Sequence, residues 1–180
     1  MKVTYTEIPD VLIIKPQVFA DERGYFYESY QRDMFREIGI HEEFVQDNES
    51  KSQKNVLRGL HLQKPPYAQG KLIRVIKGSV LDVVVDVRPN SPYYGKCVST
   101  ILSETNKLSF WVPAGFAHGF LTLEDNTIFA YKCTQVYNRE AEMAIRWNDP
   151  LLAINWGIET PLLSEKDKFA PLFSEFISPF

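Results

Sequence analysis

Several protein classes are excluded by what this chain lacks. No stretch approaches the run of about 18 apolar residues that a membrane helix needs, and the opening MKVTYTEIPD has no apolar core of a secretory signal. The expected location is therefore the cytoplasm, with no membrane partner. Only two cysteines occur, Cys97 and Cys133, which read as reduced, buried small hydrophobes rather than a disulfide framework. There is no run of five basic residues and the formal charge is −3, so nothing in the chain as a whole attracts nucleic acid. An anionic ligand would have to be held by a local cluster. Repeats, linkers and low-complexity segments are absent, and the 11 prolines and 9 glycines lie scattered between short apolar runs.

What is present suits one globular domain over residues 1–180. With 44% hydrophobic residues, the chain is long enough to bury roughly 70% of its unfolded surface without metal or disulfide staples. Helical patterning is thin. Met34, Phe35 and Ile38 recur at helical spacing in Gln31 to Ile38, and Gly39 follows as a stop. Strand signals dominate: Val11 to Ile14, Gly24 to Tyr30, Asn55 to Gln63, Lys71 to Lys77, Val80 to Arg88, Phe110 to Val112, Gly119 to Leu123 and Thr127 to Tyr137. Gly78-Ser79 is a turn. In the fifth run Val80, Asp82, Val84 and Asp86 share one face and Leu81, Val83, Val85 and Val87 the other, so one face is core. About eight strands at this spacing predict an all-β antiparallel jelly roll.

The chemistry-bearing residues are few. Of three histidines, His41 lies among Glu42 and Glu43 and reads as a surface residue. His61 shares its alternating face with Gln63, whereas Arg58 joins that face only if Gly59 marks a bulge. A hydrogen-bonded core histidine and a functional one are both compatible with that context. Pro113-x-Gly115-x-x-His118 reads as strand, tight turn and return strand, delivering a histidine into a small barrel. It resembles the second motif of the cupin superfamily, but the first motif has Gln63 where a second ligand histidine would stand, and Lys64 to Gly78 offers Lys71 and no acid. A divalent metal wants three or four N, O or S ligands and no ammonium alongside, so no metal and no other cofactor is expected.

The remaining parts suit proton transfer at a carbon next to a carbonyl. A neutral imidazole is a competent base. An enolate needs a fixed cation, a role that fits Lys71 unless it is simply an exposed lysine at a strand start. Tyr131 and Tyr137 fall on one face of the last strand run, where a phenol opposite the base could return a proton; packing as aromatic core is the alternative. Asp82 and Asp86 are either barrel-interior acids or solvated, with solvation favoured for Asp86. Asp167, in Leu163-Ser-Glu-Lys166-Asp167, could orient an imidazole, a contact that spacing alone does not establish.

Taken together, Asp21-Glu-Arg23-Gly-Tyr-Phe-Tyr-Glu28-Ser29, Phe44-Val-Gln46-Asp-Asn48, Leu57-Arg58-Gly-Leu-His61-x-Gln63, Gln69-Gly-Lys71-Leu, Asp82-Val-x-Val-Asp86-x-Arg88 and Pro113-x-Gly-Phe-Ala-His118-Gly-Phe strongly resemble one family. Tyr131-Lys-Cys133, Trp147-Asn-Asp149-Pro150 and the Leu163 segment extend the match over roughly nine tenths of the chain. The family is the dTDP-4-dehydrorhamnose 3,5-epimerases, metal-free cupins. The resemblance implies His61 as general base, Asp167 as its dyad partner, Lys71 as enolate stabiliser and Tyr131 as general acid. It further implies that Arg58 and His118 meet the diphosphate and sugar of a dTDP-4-keto-6-deoxy sugar. Phe19, Arg23, Glu28, Gln46, Asp47, Asn48, Glu142 and Lys166 would shape the nucleotide site, with Tyr137 also at the substrate. Family members are homodimers, which implies that Phe19 and Arg23 reach the neighbouring subunit's site. Leu62 stands where tyrosine is frequent in the family, pointing away from the base. The rival readings are a mono-epimerase acting at one carbon, a metal-dependent cupin oxygenase and a catalytically silent sugar-binding cupin.

Overall fold

A computed structural model describes residues 1–180. Thirteen strands and two short helices follow one another in the order β1 (Lys2–Tyr5), β2 (Leu12–Lys15), β3 (Phe19–Asp21), β4 (Gly24–Phe26), α1 (Arg32–Glu37), β5 (Gln46–Ser52), β6 (Leu57–Gln63), β7 (Lys71–Lys77), β8 (Ser79–Asp86), β9 (Cys97–Ser103), β10 (Ser109–Val112), β11 (Phe116–Thr122), β12 (Thr127–Cys133), β13 (Glu142–Ala144) and α2 (Glu165–Lys168). All strand pairs between these elements are antiparallel. One sheet has the order β1-β2-β10-β7-β12-β5 and faces a second of order β13-β6-β11-β8-β9, which makes the expected jelly roll; β3 and β4 form a separate hairpin. No helix is long and apolar enough to cross a membrane.

Three apolar layers hold the sheets. The inner one packs Ile73, Val75, Phe110 and Phe129 of the first sheet against Val80, Val84, Phe116 and Phe120 of the second. A second layer covers the outer face of the five-stranded sheet, where Val83, Val85, Leu60 and Leu62 meet Trp147, Leu152, Trp156 and Phe176 from the C-terminal segment. The third seats Phe35 of α1 on Leu12, Leu72 and Trp111. So β8 is buried on both faces, not one, because the C-terminal third of the chain has almost no regular structure of its own and folds onto the sheet. Gln31 caps α1 by accepting from the Met34 N–H at 2.6 Å, and Gly39 ends it at φ 91°, as the spacing predicts.

The bulge required at Gly59 is present. Across β6 and β11, His61 opposes His118 and Arg58 opposes Phe120, so three residues of β6 span two of β11. Gly59 sits at φ 136°, and a Cβ there would lie 2.5 Å from the Gly119 Cα. Only glycine fits that backbone, and the consequence is that Arg58 and His61 line one cleft.

Several strand expectations need correction: the Asn55 run starts at Leu57, the Val80 run ends at Asp86 and the Gly119 run starts at Phe116. The Gly24 run stops at Phe26 and the Thr127 run at Cys133. The latter ends where the Thr134 N–H bonds to the Gly70 carbonyl and the chain turns off the sheet. Asp86 is not solvated. It is fully buried, with Arg88 forked onto it (Nη2–Oδ2 2.6 Å) and Ser91 donating at 2.6 Å.

Candidate active site

A cleft of about 500 Å³ opens between the sheets and is lined by Arg58 and His61 of β6, Lys71 of β7, His118 of β11, Tyr131 of β12, and Lys166 and Asp167 of α2. Each side chain arrives by a local rule. The Gly59 bulge turns β6, Lys71 opens β7 opposite Val112 and Cys133, and Tyr131 follows Phe129 on the inward face of β12. Phe120 and Phe129, stacked with centroids 3.9 Å apart, also line it and give the cleft an apolar wall.

His61 and Asp167 form a dyad across 106 residues of chain. The Nε2 lies 2.5 Å from Asp167 Oδ1, with the carboxyl side chain only 3% exposed. Burial raises the Asp167 pKa, but the hydrogen bond and charge of His61, the Ser164 cap and Lys166 outweigh it and leave the carboxyl below its usual range. An ionised Asp167 holds the proton on Nε2. The free lone pair of the neutral ring is then on Nδ1, the nitrogen available as a base.

The Lys71 ammonium makes no hydrogen bond or ion pair within the chain, and burial pushes it below the ordinary lysine value. Its Nζ stands 5.9 Å from the Tyr131 ring centroid. Burial raises the Tyr131 phenol, with Cys133 and Glu142 adding and Arg58 opposing, which keeps the hydroxyl protonated as a donor. Arg58 is bonded only to Ser52 Oγ, at 3.2 Å and 3.3 Å, leaving its guanidinium free of any carboxylate. Three cations, Arg58, Lys71 and Lys166, therefore share the cleft with the single carboxylate Asp167, a local excess of positive charge in a chain of net −3. No three His, Cys, Asp or Glu side chains come together as a metal-ligand set. Each cleft imidazole faces an aspartate instead, His118 Nε2 meeting Asp82 Oδ1 at 2.9 Å.

The remaining sequence candidates divide into three groups. Beside the cleft, the Tyr137 hydroxyl donates to Glu142 Oε2 at 3.0 Å, Glu142 pairs with Lys166, and the Gln46 amide carbonyl accepts from the Tyr137 N–H at 2.8 Å. Gln46 also bonds Asn48. Asp47 instead points outward from β5 and pairs with Lys132 at 2.9 Å. Phe19, Arg23 and Glu28 form the third group: none lines this cleft, and Phe19 and Arg23 stand out on the β3–β4 hairpin, Arg23 paired only with Asp21 of the same hairpin.

Gln63 does not join His61 in the cleft. Its Nε2 donates to the Tyr67 and Val136 carbonyls at 2.7 Å and 3.2 Å, and its Oε1 accepts from the Asn138 N–H at 2.7 Å, so it ties the Tyr67 loop to the backbone on both sides of Tyr137. Leu62 does point away from the base, into the outer layer. Of the thiols, Cys133 is fully buried and Cys97 half-buried, its pKa pushed up to about 11 by desolvation. Sequence reasoning missed Ser50, which lines the cleft with a buried hydroxyl that has no partner, and Ser52, which holds Arg58. Alternation along β5 would have placed both inside, had that polar segment been read as a strand.

A family model described as dTDP-4-dehydrorhamnose 3,5-epimerase matches residues 5–175. The chain is 54% identical over 168 residues to the protein of that name from Shigella flexneri, covering 93% of each. Among solved structures it is similar to the Legionella pneumophila enzyme in complex with dTDP-4-keto-L-rhamnose, at TM-score 0.94 and 48% identity over 98% of this chain and 94% of that one. It is also similar to a 3′-monoepimerase from Streptomyces bikiniensis in complex with dTDP-quinovose, at TM-score 0.89 and 30% identity over 94% of this chain and 87% of that one.

Proposed function

The chain belongs to the dTDP-4-dehydrorhamnose 3,5-epimerase family, and we propose that it works as a cofactor-free isomerase through His61, Asp167, Lys71 and Tyr131. It inverts C5 and C3 of dTDP-4-dehydro-6-deoxy-D-glucose and yields dTDP-4-dehydro-L-rhamnose for dTDP-L-rhamnose synthesis. The observation that carries the assignment of roles is the convergence of a carboxylate-anchored imidazole, an unpaired ammonium and a protonated phenol in one cleft.

The protons and electrons balance within these groups. Nδ1 of His61 takes the proton from C5, the C–H pair becomes the C4–C5 double bond, and the carbonyl electrons move onto O4. The Lys71 ammonium neutralises that oxygen as charge develops. Tyr131 delivers its hydroxyl proton to the opposite face of C5, the carbonyl re-forms, and the phenolate recovers a proton as the imidazolium loses one through solvent. The same cycle at C3 completes the second inversion. Arg58 takes the diphosphate, its fork matching two phosphate oxygens, and His118 the sugar.

Residues 1–180 act as one domain in this reading, resident in the cytoplasm. The working unit is a homodimer: Phe19, 60% exposed, and Arg23 on the hairpin lie outside their own cleft, as side chains donated to a partner's nucleotide site would.

Running the reaction in deuterium oxide tests the reading. Label is expected at both C3 and C5 of the product; label at a single carbon would support the mono-epimerase alternative, which the Streptomyces relative makes concrete.

A further inference from the structure

Two aspartates of β8, Asp82 and Asp86, are fully buried, and they differ in one respect. Every oxygen of Asp86 is occupied, by the Arg88 fork, the Arg88 N–H and Ser91. Asp82 has a single bond, from His118, and its Oδ2 has no partner at all. It projects on the face of β8 that contributes Val80 and Val84 to the inner core. A buried carboxyl with an orphan oxygen is a large cost to folding. Packing does not explain its presence.

Asp82 does not line the cleft, but His118 does, and Lys71, whose charge acts on it, does too. We propose that Asp82 is a positioning residue for the cleft: it fixes His118 by Nε2, leaving Nδ1 for the ligand, and supplies the countercharge for the Lys71 ammonium. The proposal rests on the assignment of Lys71 as enolate stabiliser made above.

The surroundings of Lys71 single out Asp82. Desolvation lowers the lysine. Among the groups facing it, Cys133 of β12 has its own thiol raised by burial and so stays neutral, and Tyr131 offers only a ring face. Glu142 of β13 and Lys166 of α2 pull in opposite directions and are paired with each other. His118 of β11 is kept neutral by burial. That leaves Asp82 of β8 as the negative charge without a cation of its own, raised by burial and drawn back by His118 and Lys71. The arrangement parallels the His61–Asp167 dyad on the neighbouring strand β6, where His61 stands directly opposite His118. There the carboxylate serves a base; here it serves an electrophile.

The test is Asp82→Asn, which keeps the shape and an acceptor for the His118 N–H but removes the charge. The expected result is a 10–100-fold lower kcat, the usual scale for a group that orients another, with KM little changed. The basic limb of the kcat profile should shift to lower pH, because Lys71 loses its proton more easily, while Tm stays level or rises as the buried charge disappears. A merely structural residue would lower Tm and leave the limb in place. A variant with wild-type kcat and an unmoved limb overturns the proposal. Should the variant not fold, ¹⁵N-histidine NMR of the wild-type protein decides: His118 locked with its proton on Nε2 at neutral pH supports it, and a ring averaging between tautomers refutes it. An inactive wild-type chain would count against the epimerase reading itself, whereas an active wild type with an indifferent Asp82→Asn variant counts only against this role.

Discussion

Replacing His61 by alanine lowers kcat by about 10²–10⁴-fold, the range set by a positioned general base, and slows deuterium wash-in at both C5 and C3 to the same extent. The reason is local. Nε2 is committed to Asp167 at 2.5 Å, so Nδ1 is the lone pair on that side of the cleft, and the other imidazole, His118, is bonded to Asp82 and has its protonation suppressed by burial. No neighbouring group inherits the task. KM should change little, because the imidazole contributes mainly in the transition state. The fold should persist, since β6 pairs with β11 and β13 through its backbone. The substitution also removes the partner that depresses Asp167. A carboxyl with a lowered folded pKa contributes stability above its unfolded value of about 3.9, lost as pH falls through the folded value. In the variant that contribution shrinks, and the acid-unfolding curve should be correspondingly less dependent on this residue. Measured wash-in rates near wild type would remove His61 from the mechanism.

Lys71→Met is the second large effect. It keeps the length of the stem and deletes the charge, and should lower kcat/KM by about 10²–10³-fold, the scale for one preorganised electrostatic contact to a developing oxyanion. Because the Lys71 ammonium has no hydrogen bond to lose, and relief of its desolvation offsets the lost attraction to Asp82, the same variant should melt close to wild type. Lys71→Arg is not a conservative rescue, as a planar fork cannot take the place of a compact ammonium beside the Tyr131 ring. Loss of activity accompanied by loss of Tm would instead mark Lys71 as a packing residue.

How far the sequence reveals this site depends on the kind of signal each residue carries. His61, Lys71 and His118 sit in strands with clear alternation or beside punctuating glycines, and alternation alone makes the Gly59 bulge a requirement for Arg58 to join His61. Asp167 is different. It reaches His61 from a four-residue helix at the far end of the chain, a contact without periodicity to announce it. The strand β5, with sequence QDNESKS, has no apolar alternation because its inward residues Gln46, Asn48, Ser50 and Ser52 line a polar region, so propensity hides it. Reading Asp86 as solvated failed for a related reason: alternation gives a face, but not what covers it, and Arg88 two residues on supplies the compensating charge. Gln63 shares a face with His61, yet stands at the strand end, where loop carbonyls claim its amide. The hairpin residues Phe19 and Arg23 are legible only through family likeness, because within one chain they touch nothing of the cleft.

The most direct measurement is a crystal structure of the protein with dTDP-4-dehydro-L-rhamnose bound. Nδ1 of His61 and the Tyr131 oxygen should lie within hydrogen-bonding reach of opposite faces of the sugar ring at C5, with Lys71 Nζ on O4. A sugar lying with both groups on the same face, or with O4 turned away from the lysine, would contradict the proposed mechanism.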